Sequence, residues 1–527
     1  MTNYKIIILS ILFFLYFIIG AYLSLTTGIS HDQYHEQLNW KINFEAIQSI
    51  FFDKGSYEVL LNYLDKYHGI AFHYISQPVQ FLIYEKVANF YDVTLDGSYY
   101  LSRHLAVFIF FCFAGYFFYL LSYKISNDKN FSIICLVLLF LYPYLFGHAQ
   151  INGKDIPFMS VWIISTFLLF KIIESFYYEE EIGFINILLI SLVTAFLISI
   201  RVTGILILLE YFIALIILLN VKNIKFFSFL NKNKNFFILF PIFLLFFIYI
   251  FNPILWLNPL ELINSIKWMG KYYHDVCTLT LGNCMKALNL PSSYIFIWLF
   301  FKLPIIILLG LAAFPLIEKK IFNDGLKTIF YGIISITTLT ILFLLILRNV
   351  ALYDEIRHIM FLIPLIFLIG LYNIFIFNKN LFYVTSILVM IFFIFENISL
   401  KKYQYTWLNS LAKFTDIKKN FEIDYMGISN KNLQLKIYEY SIKNDIPRDT
   451  CVYGNSYSDV FLSNKGFTCF KLYSSLDSAK NKPFFAYQNG RNIKRSNPKD
   501  CKLIHSENYR YTLSKKDIVS GKLWFCK

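Results

Sequence analysis

Four short stretches of this chain concentrate side chains that can hold a proton or an anion. In GISHDQYHE (28–36), Asp32 and Glu36 stand four positions apart, so a helix would carry both carboxylates on one face. A carboxylate there can act as a general base. The plainer reading is a helix cap, with Ser30 or Asp32 closing the helix that follows. In NGKDIP (152–157), Lys154 sits beside Asp155, a cation next to an acid, although Asp155 ahead of Pro157 also suits the first turn of a helix. In RVTG (201–204), Arg201 requires an anion, either a lipid headgroup or a substrate phosphate, which a planar guanidinium can grip at two points. YDEIRH (353–358) sets two acids, Arg357 and His358 side by side. Interfacial anchoring with a local salt bridge would account for it, but such density of charge at a membrane boundary favours a site.

Composition supplies the medium around these groups. With 57% hydrophobic and only 16% charged residues over 527 positions, and a mean hydropathy of +0.54, the chain is too apolar for a soluble protein of its length. The abundance of Phe and Tyr (58 and 39) reads as the bias of an AT-rich genome, so aromatic residues carry no special weight. A net charge of +14 raises nucleic acid as a partner, yet many lysines lie in short runs between apolar stretches, where membrane orientation explains them. Nucleic acid is set aside.

Apolar runs begin near Ile6, Arg103, Phe131, Pro157, Phe184, Thr203, Phe236, Pro291, Thr328, His358 and Leu381, which predicts a polytopic α-helical membrane protein of about 11 spans. The run Ile6–Leu25 is long for a signal peptide and lacks a small-x-small cleavage site, so it is expected to stay as a helix. With the N-terminus inside, the Lys-rich connections 221–235 and 318–327 are cytoplasmic, while the acidic 177–181 carries little weight in orientation. Parity then puts 27–102, 147–156, 201–202, 252–290, 348–357 and everything after Leu400 outside. All four charged stretches share that face.

The chain divides into a membrane domain, 1–400, with a long first outer loop (27–102), and a soluble extracytoplasmic domain, 401–527. In the loop, 42–52 and 57–67 read as amphipathic helices and 78–91 as interfacial. The outer domain is expected to be a small α/β or α+β unit, with a helix over 432–443 and strands near 451–453, 467–472 and 483–487. Of eight cysteines, Cys112 and Cys135 fall in spans, while Cys277, Cys284, Cys451, Cys469, Cys501 and Cys526 are all assigned outside. An even, outward-facing set suggests disulfides, with free thiols as the alternative. Cys277 with Cys284 is the readiest pair, and the other four allow three pairings.

Read in order, Asp32, GKDIP (153–157), IRVTG (200–204), NPILWLNP (252–259), YDEIRH (353–358), YQY (403–405) and DYMGIS (424–429) resemble the GT-C superfamily of polyprenyl-phosphate-sugar-dependent glycosyltransferases. That superfamily includes protein O-mannosyltransferases and the lipid A aminoarabinose transferase. The resemblance implies an inverting transfer on the outer face of the membrane, from a polyprenyl-phosphate sugar to a lipid, polysaccharide or protein acceptor, and chain length with the absence of a retention signal points to a bacterial inner membrane. It implies Asp32 as catalytic base and Asp155 as a second acid, with Lys154, Arg201, Arg357 and His358 on the donor phosphate. Gln33 follows Asp32 where the family more often has Glu, which leaves Glu36 as a competing base. No metal or other cofactor is expected. Alternative readings are an O-antigen ligase or polymerase, a transporter of lipid-linked or envelope substrates, and a non-catalytic sensor or assembly protein.

Overall fold

The computed structural model describes residues 3–52, 55–271, 274, 276–321, 325–454, 459–478, 482–490, 496–514 and 516–527. The chain is 69% helical, with a small sheet region near its C-terminus. α1 (Asn3–Thr26) is followed by α2 (Gln33–Phe52), α3 (Gly55–Asn62) and α4 (Ala71–Tyr91), and then by the long α5 (Leu95–Ser126). α2 starts earlier than its amphipathic pattern suggests, and α3 ends earlier, at Asn62, with turns over the residues that follow. α4 and α5 form a hairpin. The Thr94 side chain accepts a hydrogen bond from the Gly97 N–H at 3.1 Å and caps α5 ahead of the apolar run, so Arg103 lies about two turns inside the helix and not at its start.

α6 (Lys129–Leu141) and α7 (Pro143–Ala149) are bent by 63°. After them come α8 (Asp155–Tyr177), α9 (Phe184–Ile200), a 3-10 turn (Val202–Leu206), α10 (Ile207–Lys222), α11 (Phe226–Lys232), α12 (Lys234–Phe251) and α13 (Glu261–Met269). A two-stranded hairpin, β1 (Cys277–Thr280) with β2 (Asn283–Lys286), precedes α14 (Tyr294–Lys302) and α15 (Ile305–Ala312), bent by 118°. Both breaks carry a proline, Pro143 and Pro304, which donates no N–H and stops the helix before it. The breaks also meet in space, because the Tyr142 hydroxyl donates to the Lys302 carbonyl at 2.5 Å.

α16 (Phe314–Ile321), α17 (Gly325–Leu347), a 3-10 segment (Arg357–Leu362) running into α18 (Ile363–Phe377), and α19 (Lys379–Leu400) complete the bundle. Among the described residues, eight helices are long and apolar enough to cross a membrane, or up to ten if each bent pair is one span. The protein is therefore an integral membrane protein. The eight-to-ten range is smaller than the number of apolar runs because two runs are broken pairs and α9, at 17 residues, is a shorter apolar helix. α8 and α18 are buried on almost every side at the centre, whereas α1 and α12 turn most of their surface outward. α15 and α18 approach at two glycines, where a Cβ on Gly310 would lie 2.0 Å from the Gly370 carbonyl oxygen.

Past α19 the chain re-enters the packing of the bundle. Tyr403, Tyr405, Trp407, Phe421 and Tyr425 belong to the same apolar core as the helices, and α20 (Ile417–Asn420) lies within this stretch. A separate core forms under α21 (Asn430–Lys443), where Leu433 and Ile437 pack on a sheet through Val452, Phe485 and Leu523. That sheet has the order β4-β3-β5-β7-β6, built from β3 (Cys451–Gly454), β4 (Phe470–Leu472), β5 (Phe484–Asn489), β6 (Cys501–Tyr509) and β7 (Ile518–Cys526). β3 is parallel to β4 and β5, and β7 is antiparallel to β5 and β6. The three anticipated strand regions and the helix are present, and β6 and β7 are additional. Six cysteines form disulfides, Cys277–Cys284, Cys451–Cys469 and Cys501–Cys526. The free-thiol alternative for these six is overturned, and Cys112 and Cys135, in the spans, are free and buried.

Candidate active site

The loop before α2 is gripped on both sides, which fixes where its carboxylates can reach. The His31 N–H donates to the Met426 carbonyl at 3.2 Å, and the Gln33 side-chain amide donates to the Ile151 carbonyl at 3.1 Å. Gly427, at φ +73°, lies so close to the His31 ring that a Cβ there would meet Nε2 at 2.4 Å. Held this way, Asp32 precedes the first turn of α2, and its carbonyl accepts the Glu36 N–H at 3.1 Å. Asp32 lies just ahead of the helix and Glu36 in its first turn, so the two acids do not share a helix face, and they meet different partners.

Asp32 pairs with Arg357, from the end of the bundle's second-last membrane helix. Its side chain is 48% exposed, whereas that of Arg357 is 6% exposed. Arg357 also contacts Asp354 at 2.8 Å and Asp155 at 3.9 Å. Asp155 in turn holds Arg201 at 2.5 Å and is 2% exposed. Asn152 orients this acid. Its Oδ1 accepts the Lys154 and Asp155 N–H groups at 3.2 and 2.8 Å, and its Nδ2 donates to Asp155 Oδ2 at 2.8 Å. The cap at the start of α8 is therefore Asn152, which leaves Asp155 free to clamp two guanidinium groups.

Glu36 belongs to a second, adjoining cluster. Lys154 Nζ lies 3.1 Å from its carboxylate, Arg103 Nη2 3.4 Å and His73 Nε2 3.9 Å. Lys154 also donates to the Gly69 carbonyl at 3.1 Å. Because Lys154 and Asp155 are consecutive, the two clusters abut at the start of α8, with four carboxylates (Asp32, Glu36, Asp155, Asp354) facing four cations (Arg103, Lys154, Arg201, Arg357). Desolvation pushes the Asp32 carboxyl up, but Arg357, with His31 and Arg201, outweighs it and holds the pKa below the ordinary 3.8. For Glu36 the same competition is won by Lys154 and Arg103, again leaving the acid below its ordinary value. Burial and Lys154 push His68 down to about 3, so it is neutral beside the site.

Of the charged residues singled out in the sequence, Asp32, Glu36, Lys154, Asp155, Arg201, Asp354 and Arg357 join these clusters, whereas Glu355 and His358 do not. His358 is set against Tyr353, ring centroids 4.4 Å apart and edge-on, and its Nδ1 is buried without a hydrogen-bond partner. Three functional neighbours escaped the sequence reading: Arg103, His73 and the capping role of Asn152. Arg103 carried a usable signal, since a cation inside an apolar helix is costly without an acid beside it. A further polar chain runs behind the site, from Asn152 to His148 (3.1 Å) and from His148 to the Tyr425 hydroxyl (3.0 Å). Beyond it lie Glu355 and Lys302, 2.5 Å apart and fully buried. No protein-family model and no curated protein matches the chain.

Proposed function

We propose that this protein is a membrane glycosyltransferase of the GT-C kind, moving a sugar from a polyprenyl-phosphate donor to an acceptor hydroxyl on the outer face of a bacterial inner membrane. The observation that carries this reading is the convergence of four sequence-distant charged stretches at one end of an apolar bundle, around a single half-exposed carboxylate. The three disulfides lie on the same side of the chain's connectivity as these stretches, in the hairpin before α14 and the C-terminal sheet, which fits an oxidising compartment. On this reading the spans number about 11, counting each broken pair and α9 as one.

Asp32 is the group for the acceptor. It is the one acid of the cluster with open surface, whereas Glu36 and Asp155 are spent on cations. Its lowered pKa keeps it ionised, so it accepts a hydrogen bond from the acceptor hydroxyl and aims the oxygen at the anomeric carbon. The new C–O bond forms as the bond from that carbon to the phosphate oxygen breaks, the configuration inverts, and the acceptor proton passes to Asp32. The polyprenyl phosphate leaves with the bonding pair, stabilised by Arg201, Lys154 and Arg357. Asp155 is a positioning residue for the two arginines. His358 has no direct part in this scheme.

The test is transfer of labelled sugar by the purified protein from a panel of polyprenyl-phosphate hexoses, pentoses and aminosugars, with an envelope extract as acceptor. Wild type is expected to use one donor, and Asp32→Asn to lose at least about a hundredfold in rate. Equal transfer by both proteins would remove Asp32 from the chemistry.

A further inference from the structure

The hairpin β1–β2 has inward positions of an unexpected kind. Strand alternation buries Thr278 and Thr280 fully, so the two residues facing the protein are hydroxyls where a packed strand would ordinarily present apolar groups. Each hydroxyl is used. Thr280 Oγ1 accepts from Trp298 Nε1 at 3.0 Å, and Thr278 Oγ1 accepts the backbone N–H of Asp354 at 3.0 Å. From the other side the hairpin is pinned by the Leu279 N–H to Glu422 Oε1 at 2.5 Å and the Gly282 N–H to the Asn420 carbonyl at 3.2 Å.

What Thr278 holds is a strained turn. Asp354 and Glu355 both lie in the left-handed region, at φ 56° and 66°, a conformation that non-glycine residues keep only when their surroundings impose it. Thr278 imposes it at Asp354, and the Tyr294 hydroxyl, donating to the Glu355 carbonyl at 3.1 Å, imposes it at the next residue. The turn places Asp354 Oδ2 2.8 Å from Arg357 Nη2, and Arg357 then reaches Asp32 through its other nitrogen.

We propose that the disulfide-closed hairpin is a positioning device for Arg357, with Thr278 as the positioning residue that fixes the Asp354–Glu355 turn and Cys277–Cys284 as the covalent closure that keeps Thr278 in place. Only its consequence for phosphate binding rests on the glycosyltransferase reading.

Hydrogen exchange by mass spectrometry on the full-length protein in detergent tests it, comparing wild type with Thr278→Val, Thr278→Ser and the double variant Cys277→Ser, Cys284→Ser. Peptides covering 351–358 are expected to exchange about tenfold faster in Thr278→Val and in the double variant. Thr278→Ser keeps the acceptor oxygen and should match wild type, and peptides from β6 and β7 should be unchanged in all. Unchanged exchange over 351–358 in both Thr278→Val and the double variant overturns the proposal, as does an equal acceleration in β6 and β7, which would make the effect global. Binding of farnesyl phosphate, measured alongside, should weaken in the same two variants. If exchange shifts as expected while wild type itself fails to bind farnesyl phosphate, the positioning role stands and the donor reading falls.

Discussion

Asp32 and Glu36 are one helical turn apart and chemically alike, yet their neighbours assign them different work. Glu36 is 12% exposed and balances Lys154 and Arg103, so Glu36→Gln leaves two cations unpaired in a dry setting. The expected cost is about 3 kcal/mol of stability, read as a lower melting temperature in detergent. Asp32, being half exposed, should lose activity and not stability when changed to Asn. The pH dependence has a definite sign. Because the folded pKa of Asp32 lies below the ordinary 3.8, its ion pair is fully present above that value and is lost only as pH falls through the folded pKa. The acid limb of kcat/KM is therefore expected below pH 3.8, and a limb between pH 5 and 7 would assign the rate to another group. Asp32, Lys154, Arg201 and Arg357 were legible in the sequence because charge at the edge of an apolar run is conspicuous. His73 was not, and Arg103 signalled only its need for an acid, since nothing local announces that Glu36 arrives beside them from a different helix.

At the scale of elements, the start of α8 organises the site. Asn152 satisfies two N–H groups there and holds Asp155 as well, so Asn152→Ala should cost about 1–2 kcal/mol from the lost cap. It should also raise KM for the donor more than it lowers kcat, because Asp155 would no longer hold Arg201 and Arg357 in register. Steady-state kinetics on the purified variant separate these effects. Helices were readable from apolar runs, but the start of α5 was not, because Thr94 caps it in a stretch of mixed polarity. β6 and β7 were missed for a related reason. CKLIHSENY has no alternation to read, and its extended form follows from pairing with β7 and from the Cys501–Cys526 bridge.

For the molecule as a whole, the placement of the four charged stretches at one end makes a claim about sidedness. Phe414 lies in the segment just after the last membrane helix and is 89% exposed, while Lys319, in α16, is exposed on a Lys-rich connection read as cytoplasmic. In intact cells expressing the protein a membrane-impermeant maleimide is expected to label Phe414→Cys and not Lys319→Cys, since the native cysteines are either bridged or buried. The reverse pattern would invert the topology and with it the outer-face reading. The sequence by itself determined that the chain enters a membrane, roughly how many apolar runs it carries, and which stretches hold its charge. Transfer of side chains from water to lipid is a local property, summed residue by residue along a run. Only the tertiary structure decided which carboxylate stays open, which cysteines pair after Leu400, and where the apolar runs break. Those outcomes depend on partners distant in the chain: Asp32 meets Arg357 across 325 positions, and Tyr142 meets Lys302 across 160. A carboxylate's environment is set by the cations the fold brings to it, and no local pattern records which ones arrive.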